Sequence, residues 1–162
     1  MHIFVFGNLN VGKSTFCKAL SEKLPTYTVL SLDRHRQIYS DGSQEGEAFA
    51  CSKFVDAVIN TSSAIVEFTG CGSVATQLQA ALIHKCGILI VITRNMDENI
   101  ASLDPVKFEN IPYPSEYKQQ QTLVQTIEHL KGCTTLSAFE LAWQTQIWQS
   151  YTYNFEQGIH SF

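Results

Sequence analysis

The chain of 162 residues lacks the features that mark disulfide-rich, zinc-binding or membrane-spanning proteins. Its five cysteines are odd in number and scattered, with no Cys-x-x-Cys pair and no zinc-ligand spacing, which argues against a disulfide framework and a zinc site. We therefore expect free thiols in a reducing cytoplasm. No apolar run approaches the length that spans a bilayer, so no membrane partner is expected.

Charge is also scarce. Charged residues make up 16% of the chain and the net charge at pH 7 is −4, which argues against an extended surface for nucleic acid. Apolar residues make up 44%, enough for a packed core, which excludes a disordered chain. No repeat or linker divides the sequence, so we expect one domain over residues 1–153 and a loose tail over residues 154–162.

One segment near the start fits a phosphate-binding pattern without a mismatch. Residues 7–14 are Gly-Asn-Leu-Asn-Val-Gly-Lys-Ser, which has the P-loop spacing of a glycine, four residues and Gly-Lys-Ser. The apolar, β-prone run His2–Phe6 precedes it and an expected helix to Lys23 follows it. In that context the backbone N–H groups of the loop and the N-terminus of the helix bind phosphate oxygens.

Several residues of the loop have an expected role. Gly7 and Gly12 let the backbone approach the phosphates closely. Lys13 is expected to reach the outer phosphates as a point charge, and Ser14 to bind a Mg²⁺ ion with its hydroxyl. The nucleotide-binding residues that we predict are Gly7, Asn8, Asn10, Val11, Gly12, Lys13, Ser14 and Thr15.

Strands alternate with helices along the rest of the chain, which predicts a parallel sheet covered on both faces. Further strands are expected at Tyr27–Leu32, Ala64–Phe68 and Ile88–Ile92, with a short edge strand at Phe108–Pro114. A last helix, capped by Ser137, is expected to carry Phe139, Trp143 and Ile147 on one side. This aromatic stripe is typical of a core or of an oligomer contact.

Polar residues follow three of these strands. Asp33, Arg34 and Arg36 follow the second strand, Glu67 closes the third, and Arg94 follows the fourth. Because ligands of such sheets bind beyond the carboxyl ends of the strands, we expect these side chains to meet the P-loop in one cleft. The alternatives are local: Asp33 as a helix cap, the arginines on a solvated face, or Arg94 paired with a nearby acid.

The P-loop, the short first helix and a second strand that ends in Asp33-x-x-Arg36 resemble the small P-loop kinases. This family includes nucleoside, nucleotide, gluconate, shikimate and polynucleotide 5′-hydroxyl kinases, and the resemblance covers roughly residues 2–130. It implies an α/β fold of three layers, α/β/α, whose five-stranded, mostly parallel sheet has the order 2-3-1-4-5. It also implies transfer of the γ-phosphate of ATP–Mg²⁺ to a hydroxyl or phosphate acceptor.

The resemblance further implies roles for single residues. Asp33 would bind or deprotonate the acceptor hydroxyl, and Arg36 with Arg34 would hold an acceptor that carries negative charge. Glu67 and Gly70 would face the P-loop, with Glu67 reaching Mg²⁺ through water. The catalytic set is Lys13, Asp33, Arg36 and Arg94, in which Arg94 would meet the negative charge of the transferring group.

Two features leave other functions open. The arginine-bearing lid of these kinases would fall near residues 95–107, which form a short interval without arginine. The segment Asn10–Thr15 is similar to the first motif of bacterial translation-type GTPases, although an Asn-Lys-x-Asp motif is missing. The alternatives are therefore a GTP-dependent switch or NTP hydrolase, and a nucleotide-binding protein that transfers nothing and acts through a partner.

Overall fold

The computed structural model describes residues 1–83, 85–113 and 120–157. Five strands form one sheet: His2–Phe6 (β1), Thr28–Ser31 (β2), Ala64–Glu67 (β3), Gly87–Thr93 (β4) and Ile147–Asn154 (β5). The described helices are Lys13–Lys23 (α1), Leu32–Tyr39 (α2), Gln44–Asn60 (α3), Gly72–Ala81 (α4), Met96–Ala101 (α5), Val106–Glu109 (α6), Gln120–Leu130 (α7) and Leu136–Ala142 (α8). In these ranges no helix is long and apolar enough to cross a bilayer. All five cysteines are free thiols.

The sheet has the order β2-β3-β1-β4-β5, and all four pairs of neighbouring strands are parallel. The predicted order 2-3-1-4-5 is confirmed. The central strand is β1, where Phe4 pairs with Val66 of β3 and with Leu89 of β4. Both β1 and β3 are buried along their whole length, as strands covered on two faces require. Their carboxyl ends lie along one edge of the sheet.

Successive residues of β1 belong to two different cores, because side chains alternate between the faces of a strand. Phe4 and Phe6 lie in the larger core, to which α3, α4 and α8 contribute, while Ile3 and Val5 lie in a smaller core with Phe16 of α1. Helices on both faces give the predicted three layers. A third, small cluster packs α6 and α7 against the P-loop.

The fifth strand does not lie where the sequence indicated. The prediction of an edge strand at Phe108–Pro114 is wrong, because α6 covers Val106–Glu109 and a loop follows as far as Tyr113. Pro105 precedes α6 with φ −56°, the helical value that its ring fixes. The strand next to β4 is β5, which pairs with it over Ile147–Asn154.

The predicted last helix is correct only in its first part. It ends before Trp143, and Ile147 begins β5 instead of continuing the helix. Its N-cap is Thr135, whose hydroxyl accepts the N–H three residues further on, so the predicted cap at Ser137 is wrong. Phe139 and Trp143 are 1% and 0% exposed, which makes both of them core residues.

Candidate active site

The P-loop between β1 and α1 depends on unusual backbone angles. Gly7 has φ +151° and Gly12 has φ +94°. A Cβ atom on Gly7 would lie 2.4 Å from the carbonyl oxygen of Ile92, and one on Gly12 would lie 2.2 Å from the ring of Phe155. Asn10 is left-handed as well, with φ +59°, a conformation that asparagine adopts more easily than most residues. Glycine is thus required at both of its P-loop positions.

The asparagines of the loop anchor it to the helices around it. The Asn8 side chain donates to the carbonyl of Ile127 in α7 at 2.8 Å, and the Asn10 side chain donates to the carbonyl of Asn99 in α5 at 3.0 Å. Asn99 in turn donates to the carbonyl of Leu9 at 2.9 Å. Both P-loop asparagines therefore use their side-chain amides to fix the shape of the loop.

Lys13, Ser14 and Glu67 meet inside the loop. The Lys13 ammonium donates to the carbonyls of Gly7 and Asn8 at 3.1 and 2.6 Å, and the Ser14 hydroxyl donates to Glu67 Oε1 at 2.5 Å. Burial lowers the pKa of Lys13, although the charge of Glu67 opposes this shift. Burial raises the pKa of Glu67, and the hydrogen bond from Ser14 opposes that shift in part.

The donor set at this point fits a magnesium ion better than a transition metal. A hydroxyl and a carboxylate are hard oxygen ligands, the kind that Mg²⁺ prefers together with phosphate oxygens and water. Among residues 1–83, 85–113 and 120–157 no group of three or more His, Cys, Asp or Glu side chains is placed to hold a metal by itself. A metal at Ser14 and Glu67 would therefore need oxygens from a bound nucleotide.

Asp33 and Arg36 lie on α2, directly beyond the end of β2, and form a network with two further residues. Arg36 Nη1 donates to Asp33 Oδ1 at 2.7 Å, and Arg36 Nε and Nη2 donate to the Glu47 carboxylate at 2.9 and 2.6 Å. The Tyr113 hydroxyl donates to the same Asp33 Oδ1 at 2.8 Å, and the Tyr113 ring stacks on the guanidinium with its centroid at 4.6 Å. The network holds Asp33 from two sides.

Two members of this network, Arg36 and Tyr113, have raised pKa values. Burial acts to lower the pKa of Arg36, but the hydrogen bonds to Glu47 and the charge of Asp33 outweigh it, and the pKa is raised. Burial, followed by the charge of Asp33, raises the pKa of Tyr113 well above its ordinary value of 10.0. Tyr113 therefore remains a hydrogen-bond donor at neutral pH.

A cavity of about 320 Å³ connects the P-loop to this network. Lys13 and Glu67 line it on the side of the P-loop, and Asp33, Arg36 and Glu47 line it on the side of α2 and α3. The structure thus brings together, at one edge of the sheet, four side chains that the sequence placed in one cleft. A nucleotide phosphate and a second small molecule can meet between them.

Two residues of the predicted acceptor site do not line this cavity. Arg34 is exposed and its Nη1 donates to Gln37 at 3.4 Å, on the outer side of α2. Gly70 lies beneath the site at φ +84°, with its carbonyl oxygen accepting from Trp143 Nε1 at 3.1 Å. Gly70 lies in a turn that packs on the core, and the neighbouring residue Thr69 lines the cavity instead.

Arg94 does not line this cavity and lies on the other side of the P-loop from it. Its Nη1 donates to the carbonyl of Asn10 at 3.4 Å, and its guanidinium stacks on the ring of Phe155 at 4.9 Å. Arg94 Nε is buried and has no hydrogen-bond partner among the described residues. Phe155 belongs to the predicted loose tail over residues 154–162. In its described part β5 ends at Asn154 and a 3₁₀ turn covers Phe155–Gln157, whereas residues 158–162 lie outside the described ranges.

Glu47 and Tyr113 are the site residues that sequence reasoning missed. Glu47 lies in the first turn of α3, eleven residues after Arg36, where an acidic residue is common for reasons of helix capping alone. Tyr113 lies 80 residues from Asp33 along the chain. Neither pairing has a local signal in the sequence, because each depends on how α2 packs against distant segments.

Comparison with known proteins finds similarity in fold but not in sequence. No family model matches the chain, and no curated protein is similar to it in sequence. The shikimate kinase of Acinetobacter baumannii, solved with shikimate, aligns with a TM-score of 0.58 and 13% identity, over 94% of this chain and 83% of its own. The shikimate kinase of Bacteroides thetaiotaomicron aligns with a TM-score of 0.57 and 12% identity, over 94% and 86%.

A third structure extends the same comparison. A protein of Chloroflexus aurantiacus, provisionally assigned as a kinase, aligns with a TM-score of 0.57 and 16% identity, over 98% of this chain and 87% of its own. All three structures share the five-stranded P-loop fold with this chain. At these identities the likeness concerns the fold, and the reaction has to be argued from the residues of this chain.

Proposed function

We propose that the protein is a phosphotransferase that moves the γ-phosphate of ATP to the hydroxyl group of a small acceptor. The observation that supports this best is the shared cavity, which Lys13 of the P-loop and Glu67 of β3 line on one side and Asp33 and Arg36 of α2 line on the other. Phosphoryl transfer needs two reactants held in line and stabilisation of charge, and little covalent chemistry. The kinases among the fold neighbours support the same reaction class.

The P-loop side would bind the donor. The backbone N–H groups of the loop and the Lys13 ammonium would hold the phosphates, and the carbonyls that Lys13 now contacts would be released. Ser14 and Glu67 would hold Mg²⁺, which supplies positive charge to the phosphate oxygens when it is bound. Arg94, next to Asn10 of the loop, would contribute positive charge from the other side.

The α2 side would bind and activate the acceptor. Both hydrogen bonds that Asp33 accepts within the described residues end on Oδ1, so Oδ2 is available to accept the proton of the acceptor hydroxyl. As that proton moves to Asp33, the acceptor oxygen forms a bond to the γ-phosphorus. The bond from this phosphorus to the bridging oxygen breaks, and ADP leaves with the electron pair. Arg36 and Tyr113 act on the reaction by orienting Asp33.

The test is a transfer screen with ATP labelled in its γ-phosphate, against nucleosides, nucleotides, 5′-hydroxyl oligonucleotides, sugars and shikimate. For the acceptor that is phosphorylated, we expect Asp33→Asn to reduce transfer by roughly 10²–10⁴-fold, as the loss of a general base does, with ATP affinity nearly unchanged. Asp56→Asn, at an exposed position of α3, is the matched control. An equal loss of ATP binding and transfer in Asp33→Asn would show that Asp33 is structural.

The same preparation separates the kinase from a GTP-dependent switch. Nucleotide affinities are measured by calorimetry for ATP and GTP, each with Mg²⁺, and we expect ATP to bind at least as tightly as GTP. A strong preference for GTP, with hydrolysis and no transfer to any acceptor, would contradict the proposed function and favour the switch.

A further inference from the structure

The cations that line the cavity limit the kind of acceptor that it can hold. Among the described lining residues, these cations are Lys13 and Arg36. Lys13 belongs to the P-loop and is needed for the donor phosphates. Among the described residues, an acceptor that carries a carboxylate or a phosphate would therefore have to use Arg36.

Arg36 is already engaged by two carboxylates. It donates to both oxygens of Glu47 and to Asp33, at 2.6 to 3.1 Å, and the ring of Tyr113 covers its face. One cation thus serves two anions, and the three side chains together carry one negative charge. The Arg36 side chain is 15% exposed and that of Glu47 is 22% exposed, so these charges are screened less than surface charges.

Glu47 is also held in place by its own helix. It lies in the first turn of α3, where the positive end of the helix dipole stabilises a carboxylate. An incoming anion would have to displace a fork-like arginine–carboxylate pair, which is among the stronger hydrogen-bonded contacts in proteins. It would also be repelled by the remaining negative charge.

The rest of the cavity wall is largely apolar. A wall of this kind binds the body of a small molecule through burial of apolar surface, while a few polar groups fix its orientation. The apolar side chains that line the cavity are Leu9, Leu32, Phe68, Phe108, Leu123 and Leu130.

We infer that the acceptor is an alcohol that has no negative charge and has an apolar, ring-sized body; this rests on the phosphotransferase function proposed above. The hydroxyl group would lie at Asp33 and the body would lie against the apolar wall. This acceptor differs from the anionic one that the two arginines of α2 suggested in the sequence, because Arg34 lies outside the cavity and Arg36 is neutralised within it.

A pair of probes with the same body tests the inference directly. Cinnamyl alcohol and cinnamate are titrated into the nucleotide-free protein, and binding is followed by nuclear magnetic resonance. We expect the alcohol to bind at least tenfold more tightly than the carboxylate. Equal or tighter binding of cinnamate, or no binding of either probe at millimolar concentration, would overturn the inference.

A variant of Glu47 tests the cause. Glu47→Gln keeps the shape of the side chain but leaves Arg36 with one carboxylate, so the affinity for cinnamate should rise at least tenfold relative to the affinity for cinnamyl alcohol. Glu45→Gln, exposed in the same helical turn, is the control and should change neither. If cinnamate gains no affinity in a folded Glu47→Gln protein, Arg36 is not the reason and the inference fails.

A cavity-filling variant places the probes. Thr126 lines the cavity from α7, and Thr126→Trp should weaken binding of both probes by at least tenfold; unchanged affinity would mean that they bind elsewhere, which overturns the inference.

The proposed function has a separate readout, which is binding of ATP–Mg²⁺ and phosphate transfer. If cinnamyl alcohol binds more tightly than cinnamate but the protein does not bind ATP–Mg²⁺, only the proposed function is contradicted. If the protein transfers phosphate to an anionic acceptor, only the inference is contradicted.

Discussion

At the scale of single residues, the site depends on side chains that hold one another as much as on those that would touch substrate. Asp33 is 41% exposed, so without partners it would adopt several orientations in water. The hydrogen bonds from Arg36 and Tyr113 to Oδ1 select one orientation. A general base has to lie within hydrogen-bond reach of the proton that it removes. For Asp33 as the proposed base, this arrangement would supply a fixed orientation before substrate binds.

Tyr113→Phe removes the hydroxyl that holds Asp33 and keeps the ring over Arg36. We expect kcat for phosphate transfer to fall about tenfold, since a hydrogen bond to a charged group is worth roughly 1.5–3 kcal/mol and water replaces part of it. The KM for ATP should not change, because the hydroxyl that is removed donates to Asp33 on the α2 side of the cavity. Tyr39→Phe, at an exposed tyrosine of α2, is the control. A fall in thermal stability with unchanged kcat would assign Tyr113 to packing alone.

The pKa of Glu67 gives a prediction for pH. Burial raises this pKa from its ordinary value of 4.5, and the carboxylate has to be ionised to help hold Mg²⁺. Affinity for ATP–Mg²⁺ should therefore be full above the raised pKa and should fall as the pH is lowered through it, starting at a higher pH than an ordinary glutamate would give.

The matched experiment compares wild type with Glu67→Gln by calorimetry across this pH range. Because protonation of ATP itself is common to both proteins, the difference between them reports Glu67. We expect the variant to bind weakly with little additional dependence on pH, and Glu22→Gln, at an exposed position of α1, to follow wild type. Parallel curves for wild type and Glu67→Gln would show that Glu67 does not contact the metal site.

At the scale of elements, an aromatic cluster fixes the end of β3 under the site. The ring centroid of Phe6 lies 4.9 Å from that of Trp143 and 5.2 Å from that of Phe139, and Trp143 donates to the carbonyl of Gly70. This contact holds the turn after Glu67 against the core. Helix α8, which carries Phe139, and Trp143 directly after it therefore support the site without lining the 320 Å³ cavity.

Gly70→Ala tests this support. Gly70 has φ +84°, and a Cβ atom would lie 2.6 and 2.7 Å from the rings of Phe139 and Phe6. Left-handed strain and overpacking together should lower the free energy of unfolding by about 2–5 kcal/mol, measured by urea denaturation. Gly132→Ala, where a Cβ atom would meet nothing within 4 Å, should stay within about 0.5 kcal/mol. Equal effects of the two variants would contradict the packing described here.

The sequence predicted those elements whose signals are local. The strand β1, the P-loop and α1 follow from a continuous motif, and the apolar runs of β3 and β4 are typical of central strands. The strand β5 was missed because its apolar and polar residues do not alternate cleanly, and because its evidence is a long-range pairing with β4. Two prolines near residue 112 instead suggested an edge strand where the chain forms α6 and a loop.

The residues of the candidate site likewise divide into those with a local signal in the sequence and those that depend on long-range packing. The strand ends brought Lys13, Asp33, Arg36 and Glu67 to one cavity, as the rule for parallel sheets predicts. Two partners in the network could not be predicted: Glu47, which with Asp33 neutralises Arg36, depends on helix packing, and Tyr113, which covers Arg36, lies 80 residues away from Asp33. The prediction of an anionic acceptor was made from the two arginines of α2 without knowledge of these partners.

At the scale of the whole molecule, the order of the strands determines where the two reactants would meet. The central strand β1 places the P-loop between the ends of β3 and β4, so the donor would lie in the middle of the sheet edge. The strand β2 lies on one side, beyond β3, and is followed by α2, which carries the proposed acceptor residues. Helices α5 and α7 hold the loop through its asparagines. The cavity forms where the P-loop, Glu67 and α2 lie at the carboxyl ends of β1, β3 and β2, which are adjacent in that order in the sheet.

The most direct test of this account is the affinity for ATP–Mg²⁺, measured by calorimetry for wild type, Lys13→Ala and the control Lys18→Ala, at an exposed position of α1. We expect wild type and Lys18→Ala to bind alike and Lys13→Ala to lose at least 100-fold in affinity, because the side chain that would meet the outer phosphates is removed. Equal affinity of Lys13→Ala and wild type, or no binding by wild type, would contradict the account.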